Sequence, residues 1–239
     1  AGATSLDTNE EYDPANYSWA TGKAAMLSRR SHLSAVAVGG RVYAFGGMTD
    51  LADSALNEQY DPASDQWTSK AAFASAAGRN KMAAAAVSQT IFALGGSGPL
   101  NDNLAYAPGD ASWTAKAALP AGVETGGAAA LGGKLYVIGG ALGAPPVYEY
   151  DPATDQFAVR AAMITGRTSL AVAAAGGRIY AMGGKLAGPD SALSEQYDPG
   201  VATQYTGLTP NTPYTFKAQA RNQAGTVSPE LTSVSTYTW

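Results

Sequence analysis

Residues 41–47 read RVYAFGG, and the phrase returns as TIFALGG at 90–96, KLYVIGG at 134–140 and RIYAMGG at 178–184. The second glycines stand at 47, 96, 140 and 184, so the steps are 49, 44 and 44 residues. Between the copies runs a second phrase: YDPANYSW (12–19), YDPASDQW (60–67), YAPGDASW (106–113) and YDPATDQF (150–157), with a version one residue longer, YDPGVATQY, at 197–205. A third phrase closes each unit, as KAAM (23–26), KAAF (70–73), KAAL (116–119) and RAAM (160–163). Three phrases in fixed order at a period of about 46 residues mark a repeat architecture.

Each unit reads as four short strands. In the first full unit these are predicted over 32–38, 41–45, 55–60 and 66–70, with a tight turn at Gly39-Gly40. Asp61-Pro62 opens another turn, because proline presets φ and aspartate caps the backbone amides that follow. The second strand is apolar on both faces (Val42, Tyr43, Ala44, Phe45), as a strand covered from both sides should be. The first strands of later units (83–87, 128–131, 171–175) are rich in alanine, which suits the crowded middle of converging sheets. The closing Gly-Gly pair lets the backbone pass a neighbour without a Cβ clash. Trp19, Trp67, Trp113 and Phe157 supply one large ring per unit, enough to fill the widening gap between splayed sheets.

Composition narrows the chemistry. Apolar residues make up 46% of the 239, enough for a sizeable core. Glycine and proline together reach about 17%, so turns and close backbone approaches are many. The net charge of −4 and pI near 4.9 give no basic field for a phosphate backbone, so nucleic acid is not an expected partner. Cysteine is absent, which removes disulfides, thiolate metal sites and cysteine nucleophiles together. His32 is the only histidine. No run of 18 apolar residues predicts a membrane helix. The start, Ala1-Gly2-Ala3-Thr4, carries no basic segment before an apolar stretch, so any signal peptide is expected to have been removed or not included.

Four-stranded units at this period, with Gly-Gly and a late tryptophan, resemble kelch repeats, which build β-propellers. The resemblance covers roughly residues 5–205, with Ala107 where the second-phrase aspartate is usual and Phe157 where tryptophan is. It implies an all-β, kelch-type β-propeller of four-stranded antiparallel blades. Residues 1–26 are a half blade, and full repeats are expected at 27–73, 74–119, 120–163 and 164–206, the last taking 204–206 as its fourth strand. The tail, 207–239, holds two further β-like runs at 214–221 and 227–238. Joined to the N-terminal strands they would complete a fifth blade and close a single domain, removing the open edges that invite aggregation. The stretch GLTPNTPYTFKAQARNQAGTVS (207–228) also resembles the second half of a fibronectin type III domain, with Leu208, Pro210 and Tyr214 as its tyrosine corner. A complete sandwich of that kind needs about 100 residues, more than remain.

Propellers bind where loops of all blades converge. The kelch resemblance places the residues opening each first strand near that mouth. Counting on from the third phrase gives Arg30 and His32, Arg79 and Lys81, Val123 and Thr125, and Arg167 and Ser169. The expected ligand-contacting set is Arg30, His32, Arg79, Lys81, Thr125, Arg167 and Ser169. Two readings stand for the arginines. They form a positive collar for a carboxylate, acidic sugar or acidic peptide, or they pair within the blades with Glu58, Glu149 and Glu195 or with backbone carbonyls. His32 alone reads as a hydrogen-bonded filler. Asp50, Asp53, Asp102 and Asp190 lie in loops without the alternating ligand spacing of a calcium loop, and neither metal nor cofactor is expected. Gly95-Gly96-Ser97-Gly98 lacks the following GK[ST] of a phosphate loop, and no GxSxG occurs.

Two function classes follow. The first is a non-catalytic binding or scaffolding module, expected as a monomer from a secreted bacterial modular protein, with a protein or carbohydrate ligand. The second is an enzyme. Kelch-like propellers include copper radical oxidases, whose cysteine-modified tyrosine and two histidine ligands this chain cannot supply. They also include sialic-acid mutarotases, and a mutarotase- or lyase-like activity would use Arg30, Arg79, Arg167 and an acid such as Glu124. A third reading crosses both: a truncated or engineered propeller piece with no function of its own.

Overall fold

A computed structural model describes residues 5–50, 52–74, 78–141, 145 and 147–199, and the backbone of Pro213–Ala218 and Leu231–Tyr237. Every described element is a strand. Among the described residues no helix is long and apolar enough to cross a membrane. The chain divides into two compact units, Ala1–Gly200 and Val201–Trp239.

The first unit carries the repeats. A half blade pairs β1 (Glu11–Asp13) with β2 (Ser18–Ala20). Blade 1 is the antiparallel sheet β3 (Ser34–Val38), β4 (Arg41–Phe45), β5 (Asn57–Asp61) and β6 (Gln66–Lys70). Blade 2 follows as β7 (Ala83–Val87), β8 (Thr90–Leu94), β9 (Asn103–Tyr106) and a short β10 (Thr114–Ala115). Blade 3 is β11 (Gly126–Leu131), β12 (Lys134–Gly139), β13 (Val147–Asp151) and β14 (Gln156–Arg160). Blade 4 shows three strands, β15 (Ala171–Ala175), β16 (Arg178–Met182) and β17 (Ser194–Tyr197). Its expected fourth strand, 204–206, lies outside the described residues. In the second unit β18 (Pro213–Ala218) pairs with β19 (Leu231–Tyr237). Closure of the ring by strands from both ends stays an expectation of the sequence. The first strands stand side by side, β3 against β7, β7 against β11 and β11 against β15, as strands around a shared axis do.

Local chemistry produces these hairpins. Gly39 and Gly40 have φ of 57° and 72°, the pair of positive angles a tight turn between twisted strands requires. Blade 2 holds the same conformation with Ser88 and Gln89, at 48° and 69°, without glycine. In the DP turns Asp61 accepts a hydrogen bond from the Ala63 amide at 2.9 Å, and Asp151 from Ala153 at 2.9 Å. The closing glycine does two jobs. Gly47 has φ of 94°, and a Cβ there would stand 2.7 Å from the Ser31 carbonyl oxygen. Its N–H donates to the Arg79 carbonyl of the next blade at 2.8 Å. Gly96 to Val123 and Gly140 to Arg167 repeat that link at 2.8 and 3.0 Å.

The core is a series of slots between blades, and those in front of blades 1, 2 and 3 are filled by a fourth-strand ring of the blade that follows. Trp113 is buried against Phe45 (centroids 5.2 Å apart), Phe73 (4.7 Å) and Tyr106 (5.1 Å, stacked). Its indole N–H donates to the Ala71 carbonyl at 2.9 Å, as Trp67 donates to Ala24 at 2.8 Å. Phe157 packs on Tyr150 at 4.8 Å in the next slot. Trp19 departs from the expected filling role: it lies 5.2 Å from Tyr12 but is 64% exposed, because no described blade stands in front of the half blade. The alanine strands depart likewise at the far end. Ala83 in β7 is buried, whereas Ala171, Ala173, Ala174 and Ala175 in β15 are exposed.

Candidate functional site

The seven sequence-predicted residues separate into two layers. Arg30, Arg79 and Arg167 are buried, at 3, 7 and 0% exposure. Arg30 lies 3.1 Å from Glu58 and donates to the Gly46 carbonyl at 3.0 Å and the Leu56 carbonyl at 3.2 Å. Burial pushes its pKa down, against the pull of Glu58. Arg167 donates to Glu195 at 2.8 Å and to the Ala181 carbonyl at 3.0 Å. Arg79 reaches Asp102 at 2.7 Å and lies over the Phe73 ring, 5.5 Å from its centroid. The three guanidiniums are thus held inside the blades, on the second of the two readings, rather than grouped as an open collar.

The partners follow a rule in the sequence. Glu58 and Glu195 stand two residues before the tyrosines Tyr60 and Tyr197, in the two units that carry Arg30 and Arg167. Unit three has Val123 and Tyr148 at the same two places, and both are buried in one apolar cluster. Unit two keeps Arg79 but has Leu104, so Arg79 turns to Asp102 instead.

Glu149 does not join this set. Its buried carboxylate accepts from Arg160 Nε at 2.8 Å and Lys134 Nζ at 2.6 Å. Arg160 first, then Lys134, holds its pKa down to about 2, from the ordinary 4.5. The stabilisation is complete above the unfolded value near 4.5 and is lost as pH falls toward 2, because the unfolded chain takes up the proton first. Glu149→Gln is therefore expected to cost about 3 kcal/mol at pH 7 and almost nothing near pH 2. Urea unfolding of both proteins at pH 7, 4 and 2.5 checks this, and an equal cost at every pH contradicts it.

His32, Lys81, Thr125 and Ser169 do converge. They line one open cavity of about 270 Å³ floored by Leu33, Met82, Gly126 and Leu170. All four have left-handed φ, between 52° and 59°. That conformation is uncommon outside glycine and costly for the β-branched Thr125. Here it serves a chain of backbone links from blade to blade: the Lys81 N–H donates to the His32 carbonyl at 3.1 Å, Thr125 to Lys81 at 3.0 Å, and Ser169 to Thr125 at 2.8 Å. Each of the four precedes its unit's closing glycine by 15 residues. Lys81 Nζ donates to Glu124 at 2.8 Å, both side chains partly exposed, and this holds the Glu124 carboxyl below its ordinary range. His32 Nδ1 lies 3.2 Å from the Ser31 hydroxyl. Below the mouth a second cavity of about 210 Å³ is lined by Ala35, Ala83, Ala84, Gly127, Ala128 and other small residues of the first strands.

Three of the four loop aspartates are engaged within the protein, Asp102 by Arg79 as above. Asp50 accepts from the Ser5 amide at 3.0 Å, and Asp53 from Asn80 at 2.6 Å and Ser97 at 3.1 Å. Among the described residues no cluster of three or more His, Cys, Asp or Glu could hold a metal ion. Sequence reasoning grouped residues two apart, such as Arg30 and His32, on one surface. The left-handed residue between the buried arginine layer and β3 breaks that register, and no glycine announces it.

No curated protein gives a significant match to the chain. A family model described as the Kelch motif matches residues 29–72, which are blade 1 with the loop leading into it. With that motif and successive antiparallel sheets set around shared first strands, the fold is a kelch-type β-propeller, a framework often used for binding.

Proposed function

We propose that the protein is a non-catalytic binding module of a secreted bacterial protein, taking a short neutral carbohydrate at the mouth lined by His32, Lys81, Thr125 and Ser169. The convergence of these four side chains, one per blade, on a single open cavity carries the reading. They mix donors and acceptors, which suits sugar hydroxyls. The acidic-ligand reading is the weaker, because Glu124 already holds Lys81 and the arginines are paired below. The mutarotase- or lyase-like reading loses its arginines for the same reason.

Titration calorimetry against neutral and acidic oligosaccharides and an acidic peptide tests the proposal. Neutral sugars are expected to bind, and Lys81→Ala to weaken them about tenfold or more, the worth of a hydrogen bond to a charged group. Glu124→Gln separates the ligand classes: it weakens a neutral sugar that uses the carboxylate and strengthens an acidic ligand. Sugar binding unchanged in both variants, or no binding of any neutral sugar, overturns the proposal.

A further inference from the structure

Below the mouth the lining changes character. The lower cavity, about 210 Å³, shares Met82 and Gly126 with the upper one, so the two adjoin on one passage among the first strands of blades 1 to 4. Among the described residues no charged side chain lines the lower cavity. Its one polar side chain is Ser34, whose hydroxyl already donates to the Met82 carbonyl at 3.0 Å. The wall is otherwise alanine, glycine, Met82 and Val172. Ala35, Ala84 and Ala128 stand at one repeat position, three residues beyond His32, Lys81 and Thr125, and Val172 takes that place in blade 4.

The hydrogen-bonding capacity of this wall lies in the backbone. Strands β3, β7, β11 and β15 stand at the ends of their sheets and pair on one edge only. Each enters its hairpin through a facing pair beside a two-residue turn: Val38 with Arg41, Val87 with Thr90, Leu131 with Lys134 and Ala175 with Arg178. Such a pair exchanges both of its hydrogen bonds, and the exchange alternates along an antiparallel ladder. Counting back, the N–H and C=O of Ala35, Ala84, Ala128 and Val172 turn away from the second strand and toward the passage. The lower cavity thus offers peptide edges and methyl groups, with no counter-charge.

An ionised group is disfavoured there, since nothing offsets its desolvation. A neutral amide suits it. Its N–H and C=O can pair with an open strand edge as an added strand does, and a methyl on the amide lies against the alanines. A sugar hydroxyl satisfies the edge but leaves those methyls facing a polar group. We propose that the bound carbohydrate is N-acetylated, its ring held at His32, Lys81, Thr125 and Ser169 and its acetamido group lowered between Ala35, Ala84 and Ala128. This rests on the mouth as the carbohydrate site and names the class of sugar it takes. The passage lies among the first strands, so closure of the ring encloses it rather than covering it.

Titration calorimetry of the full chain at pH 7 against the disaccharides of N-acetylglucosamine, glucose and glucosamine tests the proposal. The acetylated sugar is expected to bind about tenfold or more tightly than the glucose disaccharide, the worth of an added hydrogen bond with methyl burial. The glucosamine disaccharide, which carries an ammonium group in place of the amide, is expected to bind more weakly than the acetylated one. Ala84→Val narrows the lower cavity with the residue that blade 4 already carries at this repeat position, and is expected to abolish the acetyl preference. Thermal unfolding shows whether that variant folds; where it does not, the ligand series on the native protein decides by itself. Equal affinity for the acetylated and plain disaccharides, glucosamine binding as tight as the acetylated sugar, or an acetyl preference that persists in folded Ala84→Val overturns this inference and leaves the mouth as a carbohydrate site. Failure of every neutral sugar to bind overturns both.

Discussion

Trp113→Ala is expected to destabilise the protein by about 3–5 kcal/mol, the range for emptying a buried aromatic site. The ring is the common neighbour of Phe45, Phe73 and Tyr106, all themselves buried, so the slot between blades 1 and 2 has no loose side chain with which to refill. The Ala71 carbonyl also loses the indole donor, although Asn57 Nδ2 remains on it at 3.3 Å. In a chain of this size the melting temperature should fall by about 10 °C. Trp113→Phe separates packing from the hydrogen bond, and should cost about 1–2 kcal/mol, since blade 3 already works with Phe157. Thermal unfolding followed by circular dichroism measures both. A loss below about 1 kcal/mol for the alanine variant would mean the slot collapses freely.

The second large effect concerns the ion pair under the mouth. Glu58→Ala leaves the fully buried Arg30 guanidinium without its counter-charge and removes the acceptor of the Leu27 amide, 2.9 Å away. Breaking a buried pair from one side costs about 3–5 kcal/mol. The chain itself indicates the remedy, because blade 3 carries Val123 and Tyr148 where blade 1 carries Arg30 and Glu58. The double replacement Arg30→Val with Glu58→Tyr is expected to recover stability to within about 1–2 kcal/mol of the native chain, as apolar exchange of a whole buried pair often does. Denaturant unfolding of the single and double variants decides the matter. A double variant no more stable than Glu58→Ala would show that the hydrogen bonds of Arg30 to Gly46 and Leu56, rather than charge balance, set the cost.

Legibility in the sequence followed the physics of each feature. Arg41–Phe45, Gln66–Lys70 and Ala171–Ala175 are readable to the residue, because Gly-Gly or Asp-Pro turns border runs of clear β character, and Ala83–Val87 is readable from its place in the repeat although Ser88-Gln89 makes its turn. The third strand of blade 1 begins at Asn57 rather than 55, since Ala55 instead accepts a hydrogen bond from Phe73 outside the ladder. The mouth was half legible. Position within the repeat grouped His32, Lys81, Thr125 and Ser169, but residue type left two readings of the arginines, because the pairing of Arg30 and Arg167 depends on glutamates 28 residues away in sequence and that of Arg79 on Asp102. The exposure of Trp19 was hidden for another reason. A tryptophan at a repeat position reads as core in every copy, and whether a blade stands in front of it is a property of the ends.

The slot-filling order has a temporal corollary during synthesis. The seat for Trp113 is finished when Ala71 and Phe73 have emerged, yet the ring that locks it belongs to a residue 42 positions beyond Ala71. At ribosomal speeds of about 5–20 residues per second, that seat waits seconds with its phenyl rings wetted. Growth of the nascent chain is thus accompanied by one travelling, unsealed seam, sealed only by the arrival of the succeeding unit.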